Sequence, residues 1–112
     1  MSNFSYENLL NALELHYNIL HAEKQAIAAR DLNTVEDILQ QKDKSLEYLL
    51  SAKNEVDSNY PAQVNSRIES VLTLQQKNTQ SFRKLHIQDN SQPDSNENSN
   101  PLFRRLHKAY FK

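Results

Sequence analysis

The sequence contains neither glycine nor cysteine among its 112 residues. An average composition of about 7% glycine would give roughly eight glycines in a chain of this length. Hairpins and phosphate-binding loops use glycine where φ is positive, so its absence argues against a sheet protein and favours long helices with short connections. The absence of cysteine excludes disulfides, thiolate catalysis and zinc–thiolate sites.

The sequence also lacks a large charge excess and a long apolar run. It has 13 Lys and Arg against 14 Asp and Glu, a net charge of −1, which does not favour nucleic-acid binding over the whole chain. No run approaches the roughly 20 apolar residues that a membrane span needs. Residues 1–7 lack the basic and apolar regions of a signal peptide. We therefore expect a single cytoplasmic domain without membrane insertion.

Patterns typical of catalysis and metal binding are missing as well. The four histidines are not spaced for a shared metal ion, because no two of them are three or four residues apart. No Glu-x-x-His motif of a di-iron bundle occurs, and no serine stands in an arrangement specific to nucleophilic catalysis. We expect no enzyme activity, no metal and no cofactor.

Three stretches carry apolar residues at alternating steps of four and three, the spacing of helices in bundles and coiled coils. They predict helices over residues 5–30, 34–58 and 61–87, each about 37 Å long at 1.5 Å per residue. The repeating positions are Tyr6, Leu10, Leu13, Tyr17, Leu20, Lys24 and Ile27 in the first helix, Val35, Leu39, Lys42, Leu46, Leu49, Lys53 and Val56 in the second, and Val64, Ile68, Val71, Gln75, Asn78, Phe82 and Leu85 in the third.

Residues suited to begin a helix precede two of these patterns. Ser5 is a good N-cap for the first helix. A capping box for the second helix is available from two pairs, Asn33 with Glu36 and Thr34 with Asp37. Because short connections make successive helices pack antiparallel, we predict an all-α antiparallel bundle of three long helices.

Five polar residues interrupt the repeating positions. They weaken a dry core, unless their polar ends reach solvent along an apolar stem. They are equally compatible with a bundle that stays loose until a partner adds a helix. These residues are Lys24, Lys42, Lys53, Gln75 and Asn78.

The composition changes after the third helix. Residues 88–100 contain no apolar residue, which predicts a disordered linker. Residues 101–112 then form a short amphipathic helix with its apolar side chains on one face and four basic residues without an acid. This segment either folds back to complete the bundle or docks on a partner protein or an acidic membrane surface. The apolar residues are Leu102, Phe103, Leu106 and Tyr110.

The stretch from Leu20 to Leu46, LHAEKQAIAARDLNTVEDILQQKDKSL, resembles the FlgN family of flagellar export chaperones. The family-like features are the connection at residues 30–32 and the lysine-led run at residues 42–46. The polar residues 75–78 before Phe82 resemble the family's third helix. The resemblance covers about residues 6–87, and FliT-type chaperones belong to the same functional class.

The resemblance implies a cytoplasmic chaperone of a type III export system. Such chaperones bind the helical terminal region of hook-filament junction proteins, prevent premature assembly and deliver them to the export gate. Tyr110, the only tyrosine of the tail, would be the aromatic residue that docks on the gate. A self-associating structural or regulatory coiled coil is the alternative. The expected partner-binding residues are Val71, Leu74, Asn78, Phe82, Leu85, Leu102, Phe103, Leu106 and Tyr110.

Overall fold

The computed structural model describes the backbone of residues 3–90 and 101–110 and the side-chain surroundings of residues 6–85 and 105–110. Within these ranges the chain is helical and has no strand. The helices are α1 (Asn3–Ala28), α2 (Leu32–Asn54), α3 (Ala62–Asn90) and α4 (Pro101–Tyr110). The predicted all-α fold with three long helices and a short C-terminal helix is confirmed.

The helices run alternately up and down. Glu23 and His16 of α1 contact Lys42 and Ser45 of α2 in reverse order along the chain, so α1 and α2 are antiparallel. α3 rises beside α1 in the same direction, and Asn78 reaches α1 at Glu23. We call the end near the α1–α2 connection the upper end, and the end near residues 55–61 the lower end.

α1 lies in the centre of the long helices. Both α2 and α3 pack against it, whereas over the described residues no Cα of α2 comes within 8 Å of a Cα of α3. A groove therefore separates α2 from α3. α4 folds back into the upper half of this groove and contacts both walls, running parallel to α2. The fold-back alternative for the C-terminal segment is thus the one that the structure adopts.

The apolar core consists of two clusters, one at each end. The upper cluster combines side chains from all four helices, whereas α4 contributes nothing to the lower cluster. The upper cluster contains Ala26, Ile27, Leu32, Val35, Ile38, Phe82, Leu85, Leu106 and Tyr110. The lower cluster contains Leu9, Ala12, Leu13, Leu20, Ala52, Val64, Val71 and Leu74.

Three residues connect α1 to α2. The amide of Asp31 donates to the carbonyl of Ala26 at 2.9 Å and that of Arg30 donates to Ile27 at 3.0 Å, the pattern of a Schellman C-cap. Arg30 takes the left-handed conformation with φ of 57° at the position where glycine is usual. Asp31 then caps α2, because its carboxylate accepts from the Thr34 amide at 3.3 Å and from the Thr34 hydroxyl at 2.6 Å. One short connection thus satisfies both helix ends.

Several helix boundaries differ by a few residues from the approximate ones that the sequence predicts. α1 begins at Asn3, so Ser5 lies inside the helix, and it ends at Ala28 instead of residue 30. Neither predicted capping box begins α2, since Asp31 is the N-cap and the buried Leu32 already belongs to the first turn. α2 ends at Asn54 instead of residue 58, where amides 55 and 56 turn back to carbonyls three residues earlier.

The boundaries of α3 and of the tail also differ from the prediction. α3 begins at Ala62, within the expected start around residues 61–62, but it continues past residue 87 to Asn90. Residues 88–90 of the predicted linker are therefore helical. The remainder of that linker, residues 91–100, and residues 111–112 lie outside the described residues.

Replacing Arg30 by glycine should stabilise the fold. A left-handed conformation costs a non-glycine residue about 1–2 kcal/mol, and glycine removes most of that cost while adding backbone entropy to the unfolded chain. We expect the free energy of unfolding in urea to rise by about 0.5–1 kcal/mol. Ala28→Gly, inside the last turn of α1, is the control and should lower it by about 1 kcal/mol. Equal destabilisation by both changes would contradict the proposed cap.

Candidate partner-binding groove

A buried carboxylate lies where the four helices meet. Glu23 of α1 is 0% exposed. Lys42 of α2 donates from Nζ to its two oxygens at 3.2 and 3.0 Å, and Asn78 of α3 donates from Nδ2 to Oε1 at 2.9 Å. The hydroxyl of Tyr110 in α4 donates to Oε2. We call Glu23, Lys42, Asn78 and Tyr110 the Glu23 cluster. Every helix contributes one member to it.

The surroundings of Glu23 fit a buried charge. Isolated charges in a protein interior are strongly unfavourable, but this carboxylate has an ammonium partner and two neutral donors. Asn78 also donates to the backbone carbonyl of Leu20 at 2.8 Å, which ties α3 to α1 a second time. Burial and the Glu23 carboxylate both raise the pKa of the Tyr110 phenol, so the hydroxyl stays protonated and remains a donor.

Besides the bond from Tyr110 to Glu23, α4 is held in the upper groove by one buried face and two further polar contacts. The ring of Tyr110 stacks on Phe82 with centroids 4.1 Å apart and an angle of 14° between planes. Arg83 donates from Nε to the backbone carbonyl of Tyr110 at 2.7 Å. At the solvent side, Arg105 donates to both oxygens of Glu36, and this guanidinium holds the pKa of the Glu36 carboxyl below its usual range.

Below α4 the groove between α2 and α3 is open. Its walls are mainly apolar, and three of the leucines are strongly exposed: Leu46 (44%), Leu50 (48%) and Leu72 (59%). Leu49, Val71 and Leu72 line both the upper and lower parts, which makes the surface continuous. We call this surface the open groove. It is lined by Leu9, Leu13, His16, Leu39, Lys42, Asp43, Leu46, Leu49, Leu50, Lys53, Tyr60, Asn65, Ile68, Val71, Leu72, Gln75 and Ala109.

His16 lies on the floor of the open groove, directly below the Glu23 cluster. Its Nδ1 is 2.9 Å from the hydroxyl of Ser45, and the pair is buried between α1 and α2. Burial lowers the pKa of His16, the charge of Lys42 lowers it further, and the Glu23 carboxylate opposes both. The imidazole is therefore neutral at pH 7 and acts as a hydrogen-bonding group.

The structure separates the residues that the sequence predicts to bind a partner. Val71 alone lines the open groove. Leu74 packs in the lower cluster, between α1 and α3. The side chains of Leu102 and Phe103 lie outside the described residues. The other five are buried beneath or within α4: Asn78, Phe82, Leu85, Leu106 and Tyr110.

The sequence pattern does not single out Glu23. It predicts Lys24 on the core-facing stripe of α1, but Lys24 is exposed, and Glu23 takes the buried position one residue earlier. Glu23 stands three residues after Leu20 and four before Ile27, so it fits the repeat as well as Lys24 does. The one argument against placing Glu23 on the buried face is that carboxylates are rarely buried.

The repeating positions of α2 also have a different partner from the one expected. The buried residues of α2 are Leu32, Val35, Ile38, Ser45 and Ala52. Of these, Val35 belongs to the predicted core stripe, whereas its members Leu39, Leu46 and Lys53 line the groove. α2 therefore has two apolar faces, and the second is covered only where α4 lies.

Other kinds of site receive no support from the described part of the chain. It contains no group of three or more His, Asp or Glu side chains able to hold a metal ion. None of the described helices combines the length and the apolar character needed to cross a membrane.

Comparisons with family models, with curated proteins and with solved structures find no match to this chain. The similarity to FlgN-type chaperones therefore remains a hypothesis that rests on the residues quoted above.

Removing the charge of Glu23 should destabilise the whole bundle. Glu23→Gln leaves Lys42, which is 13% exposed, without its counterion, and we expect a loss of about 2–4 kcal/mol of unfolding free energy. Tyr110→Phe removes one hydroxyl and should cost about 1–2 kcal/mol. Urea unfolding measures both. Glu47→Gln, at an exposed position of α2, is the control, and a loss as large there would contradict a special role for Glu23.

Acidification should weaken the fold through His16. Because its folded pKa lies below the ordinary value of 6.5, the unfolded chain binds the proton more readily. The contribution of neutral His16 to the free energy of unfolding is present above about pH 6.5 and is lost as the pH falls towards the lowered pKa. For one proton, the free energy of unfolding cannot change by more than about 1.4 kcal/mol per pH unit. Urea unfolding from pH 7.5 to 5.5 should show a shallower slope for His16→Gln. An unchanged slope would contradict this assignment.

Proposed function

We propose that the protein is a cytoplasmic export chaperone that binds the helical terminal region of secreted flagellar hook-filament junction proteins. It keeps them from assembling too early and aids their delivery to the export gate. One observation carries the proposal. The position of a fourth helix in the bundle is filled by α4 only in its upper half, and its lower half is an apolar groove.

The dimensions of the open groove suit a helix. The wall formed by α2 extends from residue 39 to 53 and is about 21 Å long at 1.5 Å per residue. The wall formed by α3 extends from residue 65 to 75 and is about 15 Å long. A partner helix of about three turns would contact both walls. Recognition of an amphipathic helix by such a groove is a common binding mode, with apolar side chains entering at intervals of three and four residues.

The exposure of the groove leucines supports a function beyond folding. Single exposed leucines are normal on a protein surface. Here Leu46, Leu50 and Leu72 line one continuous concave surface, which is typical of an interaction site. A junction protein with an exposed amphipathic helix would have its apolar stripe covered on binding, and this would prevent self-assembly.

The tail has a separate part in the proposal. Tyr110, the expected gate-docking residue, is only 2% exposed while α4 lies in the groove. Docking on the export gate through this ring therefore requires α4 to leave the groove. The same holds for partner contacts through Phe82 or Leu106. The open groove is available without that rearrangement, and it is the first binding surface that the proposal uses.

Leu50→Asp should strongly weaken binding of the junction protein while leaving the fold intact. The charge would face the apolar stripe of the partner helix, and we expect at least a tenfold weaker Kd in calorimetric titration with the terminal helical segment of such a protein. Since Leu50 is half exposed, the free energy of unfolding should change by less than about 1 kcal/mol.

Leu15→Asp is the matched control. Leu15 is 47% exposed against 48% for Leu50, but it lies on α1 and does not line the open groove. It should leave the Kd unchanged. Sedimentation at micromolar concentration gives the mass of each species. A stable dimer that Leu50→Asp dissociates, with no binding of the junction protein, would replace the chaperone proposal by the self-associating alternative.

A further inference from the structure

We infer that the open groove binds a helix in one direction only, with its N-terminus beside α4 and an acidic C-terminal turn beside Lys53. The inference rests on the proposed function and specifies the partner segment. The occupant is an amphipathic helix of about three turns, in line with α4 and parallel to it. Its recognition depends on the charges at the two ends of the open groove as well as on the apolar walls.

The upper end of the open groove is negative. The charged side chains there are Lys42 and Asp43. Lys42 is already neutralised by its two contacts with Glu23. Asp43 is exposed and has its full charge available to a partner. The positive N-terminal end of an incoming helix is stabilised by such a carboxylate, as in a helix whose first turn carries Asp or Glu.

The C-terminus of α4 adds to this effect. Ala109 lines the open groove, so the final turn of α4 lies at its upper end. The C-terminal end of a helix carries partial negative charge. Arg83 donates to the carbonyl of Tyr110 and offsets part of this charge. A partner helix that continues α4 head to tail therefore places its positive end against a negative end.

The lower end of the open groove is positive. Lys53 is the only charged side chain among the residues that line it, together with Tyr60 and Asn65. The first turn of α3 and the last turn of α2 carry opposite partial charges here and largely offset each other. Lys53 is exposed and lies within the groove, whereas the exposed acids Glu55 and Asp57 of the following connection do not line it. The positive charge of Lys53 complements the negative C-terminal end of a helix, above all one with an acidic side chain or a free carboxylate.

The direction can be measured with a synthetic probe. The probe is an alanine-based peptide of about 14 residues, with leucines alternately three and four residues apart and one glutamate in the last turn. It carries a nitroxide at either its N-terminus or its C-terminus. Each labelled peptide is added to the full-length protein labelled with 15N, and paramagnetic broadening of the amide signals is recorded.

We expect the N-terminal label to broaden Ala109 and Asp43, and the C-terminal label to broaden Tyr60 and Asn65. The reverse pattern, or equal broadening at both ends by each label, would overturn the inference and leave the proposed function standing. Absence of binding at millimolar peptide would overturn the inference as well. Failure of the natural junction segment to bind is the separate result that overturns the proposed function.

Charge reversal supplies the second test. Lys53→Glu should weaken binding of the peptide about two- to fivefold at low salt, and the difference should shrink at high salt. Lys44→Glu is the matched control, because Lys44 is an exposed lysine of α2 that does not line the open groove. Equal weakening by both variants would show a general charge effect and would overturn the role of Lys53.

Discussion

The contact between Glu23 and its three donors fixes the arrangement of the whole molecule. A carboxylate without exposure needs partners from its surroundings, and here each neighbouring helix supplies one. Sliding any helix by one turn, about 5.4 Å, would leave the charge with a missing donor. Apolar clusters tolerate such slips better, because methyl groups can exchange neighbours. The Glu23 cluster thus specifies the alignment of α2, α3 and α4 along α1.

The position of this cluster also explains why the bundle can remain incomplete. Above it, α4 closes the core with Leu106 and Tyr110, and below it no described residue covers the groove between α2 and α3. The lower cluster does not need a fourth helix, since α1 packs against α2 and α3 separately there. The protein therefore combines a fixed upper half with an accessible apolar surface. That combination suits a protein that holds another helix without having to rearrange.

Much of the fold follows from the sequence. The steps of four and three, the missing glycines and the short connections predicted the helices, their number and their antiparallel order. The start of α2 after Asp31 could not be predicted from the sequence, because Asn33 and Thr34 are equally good capping residues by chemistry alone. What decides between them is the burial of Leu32, a property of tertiary packing. The periodicity of α2 correctly identified an apolar face, but it did not show that this face lines the groove between α2 and α3.

The candidate site was harder to predict for a similar reason. Glu23 and Lys24 are adjacent polar residues, and a helical repeat accommodates either of them. Only the donors that Lys42, Asn78 and Tyr110 bring from distant parts of the chain make the buried position favourable for the carboxylate. The groove leucines look like core residues in the sequence. They are exposed because α4, described as far as Tyr110, does not cover them, and no local pattern in the sequence shows how far a fourth helix covers the groove.

The pairing of Tyr110 with Glu23 has a consequence for how the chain folds. The two residues are 87 positions apart, so this bond closes one of the longest loops in the molecule. The α1–α2 hairpin has nearby contacts and can form while the ribosome is still adding α3, but the last donor to Glu23 arrives only with α4. We expect α4 to be the last element to become ordered and the first to open. Native-state hydrogen exchange should then show its amides to be less protected than those of α1.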